Sequence, residues 1–173
     1  MTEYYHLQAD DDISLVVDHE VLETPGKYID GEVYVDYETV HDRFNDRFYW
    51  DANENVLLYT LPDNLVTVAA GSNTYQVGKE NQSADYTIVR NDSNTMYLAL
   101  DFVEQYTNIT HEVYEDPNRT VINTVWGDVD TAPAKKATQL RLKGGIKSPI
   151  VKDLEKGETL TILDAGDSWT KAM

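Results

Sequence analysis

The chain repeats itself, and that constrains its fold more than any other feature. Glu32-Val33-Tyr34-Val35-Asp36-Tyr37-Glu38-Thr39-Val40 lines up with Thr95-Met96-Tyr97-Leu98-Ala99-Leu100-Asp101-Phe102-Val103. Further on, Phe48-Tyr49-Trp50-Asp51 followed by Val56-Leu57-Leu58 has a counterpart in Val113-Tyr114-Glu115-Asp116 followed by Val121-Ile122-Asn123. The offset drifts from 63 to 65 residues across these pairs, which places a two-residue insertion between the copies. Self-similarity at such a period is one supersecondary unit used twice. The reading is a lead segment over 1–11, then modules over 12–72 and 73–128. A unit of about 60 residues buries only about 60% of its unfolded surface, so the two copies are expected to pack together.

Each copy has the same local grammar. Val33 to Val35 make a short strand, after which Tyr37, Val40, His41 and Phe44 fall at the spacing of one helix face. Asp36 precedes that run and can cap it by accepting from early backbone N–H groups. Leu100, Val103 and Thr107 hold the matching positions in the second copy. Phe48–Trp50 and Val56–Tyr59 then read as a hairpin around the polar loop Asp51–Asn55, and Glu115–Arg119 does the same in the second copy. Strands are also expected over Ile13–Val17 and Tyr86–Val89.

Charge divides the chain at one point. The whole carries 14 Lys and Arg against 31 Asp and Glu, a net −17. From Lys135 onward eight basic residues meet five acidic ones, +3, which leaves six against 26, −20, for the first 134. A sign reversal of this kind marks a boundary, and 129–135, with a proline and small polar residues, reads as a linker. So acidic a chain repels nucleic acid and anionic lipid, so neither nucleic-acid nor membrane contact is expected. Without cysteine it has no disulfide, thiolate metal site or cysteine nucleophile. Beyond the linker, Thr138–Leu142, Ile150–Leu154, Thr159–Leu163 and Trp169–Ala172 are strand candidates separated by glycine turns. Over 136–173 this points to a small β-barrel that lacks its closing strands. The fold class is thus α+β: two repeated antiparallel-sheet-plus-helix modules followed by an incomplete small β-barrel.

These residues carry resemblances. Gly31-Glu32-Val33-Tyr34-Val35, the short helix, and Phe48-Tyr49-Trp50-Asp51 with Val56-Leu57-Leu58 resemble the copper-amine-oxidase N-terminal-like module, a stalk domain of bacterial surface proteins. Its name implies no copper ligands and no cofactor-forming tyrosine. Leu140-Arg141-Leu142-Lys143-Gly144-Gly145, Lys156-Gly157-Glu158-Thr159-Leu160 and Ser168-Trp169-Thr170-Lys171 resemble a bacterial Src-homology-3-like domain. The order of these segments resembles the N-terminal part of secreted Firmicutes glycoside hydrolases of family 18. The resemblance implies an extracellular or cell-surface location in a Gram-positive bacterium, a downstream catalytic domain of the same parent chain as partner, and peptidoglycan or another wall polymer as contact.

The residues that could carry chemistry have plainer readings. His6, His19, His41 and His111 are widely separated, which assigns them structural or surface roles in preference to metal ligation, since copper needs clustered imidazoles. Asp51-Ala52-Asn53-Glu54-Asn55 starts like a calcium loop, yet Val56 and Pro62 stand where that loop needs glycine and glutamate. Asp128 and Asp130 lack the glutamate that completes the acid motif of family 18. No catalytic residue, metal or cofactor is expected in this fragment. Arg141, Lys143 and Lys147 flank the Gly144-Gly145 turn and, with Trp169, are the candidate wall contacts. The expected function is a non-catalytic spacer and wall-contact region of a larger hydrolase. The alternative is a glycan- or peptide-binding module that uses the cleft between the repeats.

Overall fold

The computed structural model describes residues 5–124, 131–166 and 168–172, with 163 and 164 by backbone alone. It divides into two compact units, Met1–Val125 and Trp126–Met173. It is mostly β, with two short helices and several antiparallel or mixed sheets. The α+β expectation is corrected to that extent.

The first repeat starts from β1 (Asp12–Val17), with β2 (Glu20–Val21) beside it. It continues through β3 (Gly26–Ile29), β4 (Glu32–Asp36), α1 (Tyr37–Thr39), β5 (Phe48–Asp51) and β6 (Val56–Thr60). The helix α1 runs into a π-helical turn, Val40–Phe44, closed by Asn45 N–H donating to Val40 O at 2.8 Å. Asp36 caps it as expected, accepting from Thr39 N at 2.9 Å. After β7 (Leu65–Ala69), β8 (Thr74–Val77) and β9 (Glu80–Ser83) comes the second copy. Its elements are β10 (Val89–Asp92), β11 (Thr95–Ala99), α2 (Leu100–Tyr106), β12 (Thr110–Tyr114) and β13 (Arg119–Asn123).

Strand register shows how the copies correspond. Lys27 faces Tyr34 and Ile29 faces Glu32 in the β3–β4 hairpin; Arg90 faces Tyr97 and Asp92 faces Thr95 in β10–β11, each residue 63 positions later. Both hairpins turn through two residues of positive φ, Asp30 (56°) with Gly31 (87°) and Ser93 (50°) with Asn94 (78°), as a type I′ turn demands. Further along, Phe48 faces Tyr59 and His111 faces Ile122, again 63 apart. The expected drift to 65 is therefore wrong. Val113 and Tyr114 imitate Phe48 and Tyr49 in hydropathy, but His111 holds the structural place of Phe48.

The copies meet at β4 and β11, which pair antiparallel with Val35 opposite Leu98, its own counterpart. Tyr34 lies opposite Ala99 and Asp36 opposite Tyr97, so a local twofold axis passes through the Val35–Leu98 pair. One sheet runs β10-β11-β4-β3-β1-β13-β12, and β5 to β9 form a second as a meander. Gly71 N donates to Val89 O at 2.8 Å and Ile88 N to Ser72 O at 2.9 Å, which joins the segment after β7 to the strand β10.

This weaving leaves one core in place of two. Val33, Val35 and Leu98 from the central strands, Ile13 and Leu15 from β1, and Phe48, Leu57 and Val66 from the meander are buried in a single cluster. The helix α2 of the second copy packs on the hairpin of the first: Tyr59 stacks 4.9 Å from Tyr106, and Asn45 Nδ2 donates to Tyr106 O and Thr107 Oγ1. Each copy completes the other's apolar interior, so the two copies, as far as residue 124, are halves of one body.

The second unit holds β14 (Thr131–Pro133), β15 (Thr138–Arg141), β16 (Ile150–Leu154), β17 (Thr159–Ala165) and β18 (Thr170–Ala172). They form two open sheets, β14-β17-β18 and β15-β16, and none closes into a barrel. The expected linker 129–135 contains β14, whose Pro133 is tolerated because β14 pairs on one side only, with β17. Residues 129 and 130, Asp128, and residues 1–4 of the lead segment lie outside the described residues.

Candidate functional site

The twofold places four large polar residues on one face of the central strands. Lys27 and Arg90 are counterparts, as are Tyr34 and Tyr97. The Arg90 guanidinium lies over the Tyr34 ring, 4.9 Å from its centroid, and Nη2 approaches Asp30 Oδ2 at 3.4 Å. Burial holds the Tyr34 phenol above its usual pKa against the pull of Arg90, and its hydroxyl donates to Thr87 O at 2.8 Å. Across the axis Lys27 Nζ bonds Asp11 at 2.9 Å and Asp12 at 3.0 Å. Burial opposes its charge, but these two carboxylates outweigh it and hold Lys27 above the usual lysine range.

A groove follows this face. It consists of two joined clefts of about 260 and 420 Å³ that share Ile29, Tyr34, Gly71, Thr87 and Arg90. Lys27, Asn91, Asp92 and Tyr97 line one end, and Asp30, Glu32 and Asp85 the other. Arg90 Nε is buried with no hydrogen-bond partner among the described residues, while the rest of the guanidinium is held by the Tyr34 ring and Asp30. Such a groove can take hydroxyl-rich or carboxylate-bearing ligands. Sequence reasoning named the cleft between the repeats but not these residues. The signal was present, because Lys27 and Arg90 stand 63 apart just ahead of the aligned stretch.

A second cluster stands at α2. Asp101 and Glu104, three residues apart and so on one helix face, converge with His111 of β12. Nδ1 of His111 meets Glu104 Oε1 at 2.7 Å and Nε2 lies 3.8 Å from Asp101 Oδ1. Glu32, at the start of β4, accepts from Asp101 N at 3.3 Å. Its carboxyl is pushed up to about 7, first by burial and then by the charge of Asp101. The sequence spacing of the histidines hid this group, because its acids come from other elements. His6, His19 and His41 do not join it; His41 pairs with the neighbouring Asp42.

The candidate wall contacts lie in the second unit. Trp169, about half exposed, covers the Gly144 turn: a Cβ on Gly144 would stand 3.2 Å from its Cγ. Lys143 and Lys147 are exposed beside it. Arg141 is engaged otherwise, its guanidinium donating to Ser148 O at 2.7 Å and so bracing the β15–β16 loop. The calcium-loop imitation is a turn in which Asp51 Oδ1 accepts from Asn53 N and Glu54 N.

Residues 16–123 match the family model of the copper amine oxidase N-terminal domain. The chain belongs to that family. The match is a single domain that spans both repeats, in agreement with their shared core, and it replaces the expected tandem pair of such domains. The groove and the α2 cluster both fall within this copper amine oxidase N-terminal domain, and the second unit lies beyond it. Domains of this family are typical of secreted and surface proteins of bacteria, and no helix among the described residues is long and apolar enough to cross a membrane. No curated protein and no solved structure matches the chain.

Proposed function

We propose that the chain is a non-catalytic spacer and wall-contact region of a larger secreted or surface-anchored bacterial protein. The observation that carries this reading is the Trp169–Gly144 contact, which sets an exposed indole at the turn that Lys143 and Lys147, both exposed, flank in the chain. An anionic wall polymer is the complementary partner for such a turn, held by weak attraction screened over about 8 to 10 Å at physiological salt. The parent as a family 18 glycoside hydrolase, and the second unit as a Src-homology-3-like segment, rest on the sequence resemblance. Sedimentation of the chain with purified cell wall from low to high salt tests the contact, with the Lys143→Glu, Lys147→Glu double variant in parallel. Binding should fall with salt and with charge reversal; binding indifferent to both sinks the proposal.

The lining of the groove, with Tyr34, Tyr97, Arg90 and Asn91, favours a second reading, in which it takes a short glycan of the wall. Thermal shift with chito-oligosaccharides and muropeptides should then raise the melting temperature of the wild type and not of Arg90→Ala. No shift for any of them removes the groove as a glycan site.

A further inference from the structure

We propose that Asp101, Glu104 and His111 form a binding site for a divalent first-row transition-metal ion, with Glu32 closing its buried side. One ligand atom from each of the three lies within 4.8 Å of the others. Imidazole joined to carboxylates is a donor set for Zn²⁺ and its neighbours in the row.

The internal geometry separates an inner from an outer role for the His111 partners. Glu104 Oε1, at 2.7 Å from Nδ1, fixes the ring and its tautomer, as a carboxylate does behind a metal-bound histidine. That leaves Nε2 directed at Asp101 Oδ1 across 3.8 Å, too far for a hydrogen bond. Two ligands on a tetrahedral Zn²⁺ stand roughly 3.3 to 3.6 Å apart at ordinary bond lengths. The gap therefore needs to close by only a few tenths of an ångström, and Asp101, half exposed, is able to move.

Glu32 supplies the independent observation. Its residue is only 8% exposed, and its Oε1 accepts from Asp101 N at 3.3 Å, which sets its carboxyl beside the start of α2. Asp101, Glu104 and His111 are all close enough to act electrostatically on its carboxyl. An ion with two positive charges in their midst would offset the charges of Asp101 and Glu104. The symmetry-related place holds Glu38, His41, Phe48 and Thr95, where the aromatic ring replaces the imidazole of His111. Only one of the two symmetry-related places, the one at α2, carries the full set.

Calorimetric titration of the full chain with ZnCl₂ is the test, beside Asp101→Asn, Glu104→Gln, His111→Gln and, at the symmetry-related place, Glu38→Gln. The wild type and Glu38→Gln should bind one equivalent saturably. Glu104→Gln should bind about 10- to 100-fold more weakly, and Asp101→Asn and His111→Gln at least as much so. Asp101 is exposed, so its variant reads the site even if His111→Gln folds poorly, and circular dichroism of each variant separates the two effects. No saturable Zn²⁺ binding by the wild type overturns the proposal, as does wild-type affinity in folded Asp101→Asn or loss of binding in folded Glu38→Gln.

Discussion

Phe48 and His111 occupy the same place in two copies of one frame, and they do opposite things there. Phe48 is fully buried, 4.7 Å from Tyr59 across the hairpin and edge-on to Tyr106. His111 faces Ile122 in the same register, yet its ring holds Glu104 and looks toward Asp101. The backbone is repeated and the chemistry is not. What differs is the company: both strands end their sheets, but Phe48 lies against Tyr106 in the helix of the other copy, whereas β12 is exposed over most of its length. A position sealed by a neighbour must be apolar, and its counterpart without that cover is free to carry charge.

The largest expected effect is at the sealed position. Phe48→Ala should cost about 3 to 5 kcal/mol, the range for emptying a buried aromatic site, and His111→Ala less than half of that, both read by urea denaturation. Equal costs would break the contrast between the copies.

Next comes the proton on Glu32. Burial and Asp101 raise its folded pKa to about 7 from the ordinary 4.5, so the folded state keeps a proton that the unfolded chain releases near 4.5. The native state thus binds more protons between those values. The stabilisation is full below pH 4.5 and is lost as pH rises through 7. Glu32→Gln, neutral at every pH, should match the wild type at pH 4 and exceed it at pH 8, by about 1 to 2 kcal/mol once solvent screening is allowed for. A difference that does not vary with pH would remove Glu32 from the charged cluster.

A smaller contrast lies at the helix starts. Asp36 caps the first helix, while its counterpart Ala99 offers α2 no side-chain bond. Asp36→Ala should cost about 1 kcal/mol, with Asp36→Ser retaining most of it. The smallest effect is at the hairpin turns, where Gly31 has Asn94 as its counterpart, both at positive φ. Asn94→Gly should stabilise by a few tenths of a kcal/mol and Gly31→Ala should cost about 1 kcal/mol. A neutral Gly31→Ala would mean that the turn relaxes to another type.

Much of the frame was legible because it is local. Alternation and turn residues marked β4, β5, β6, β16 and β17, and the Asp36 cap followed from its place before an apolar helix stripe. The 63-residue offset was legible too, but its continuation was not. Hydropathy alone slid Phe48 onto Val113, and only pairing with Ile122 shows that His111 belongs there. The merging of the copies was hidden for a similar reason: an apolar stripe on α2 does not say whose hairpin it covers. The Asp101, Glu104, His111 and Glu32 group draws on three elements, so no spacing rule in the sequence brings its members together. Trp169 and Lys143 were legible as neighbours of a glycine turn, whereas the bond from Arg141 to Ser148 O, which ties Arg141 to the loop, depends on the loop's path.

The Val35–Leu98 pairing has a consequence for how such a domain can change. Two identical subunits meeting edge to edge about that axis would form an isologous dimer, in which every substitution appears twice and must be tolerated in both places. A single chain that carries both halves escapes that rule. A histidine that would ruin the sealed pocket at one end can be installed at the other alone, and the symmetric partner surface becomes two surfaces with separate fates.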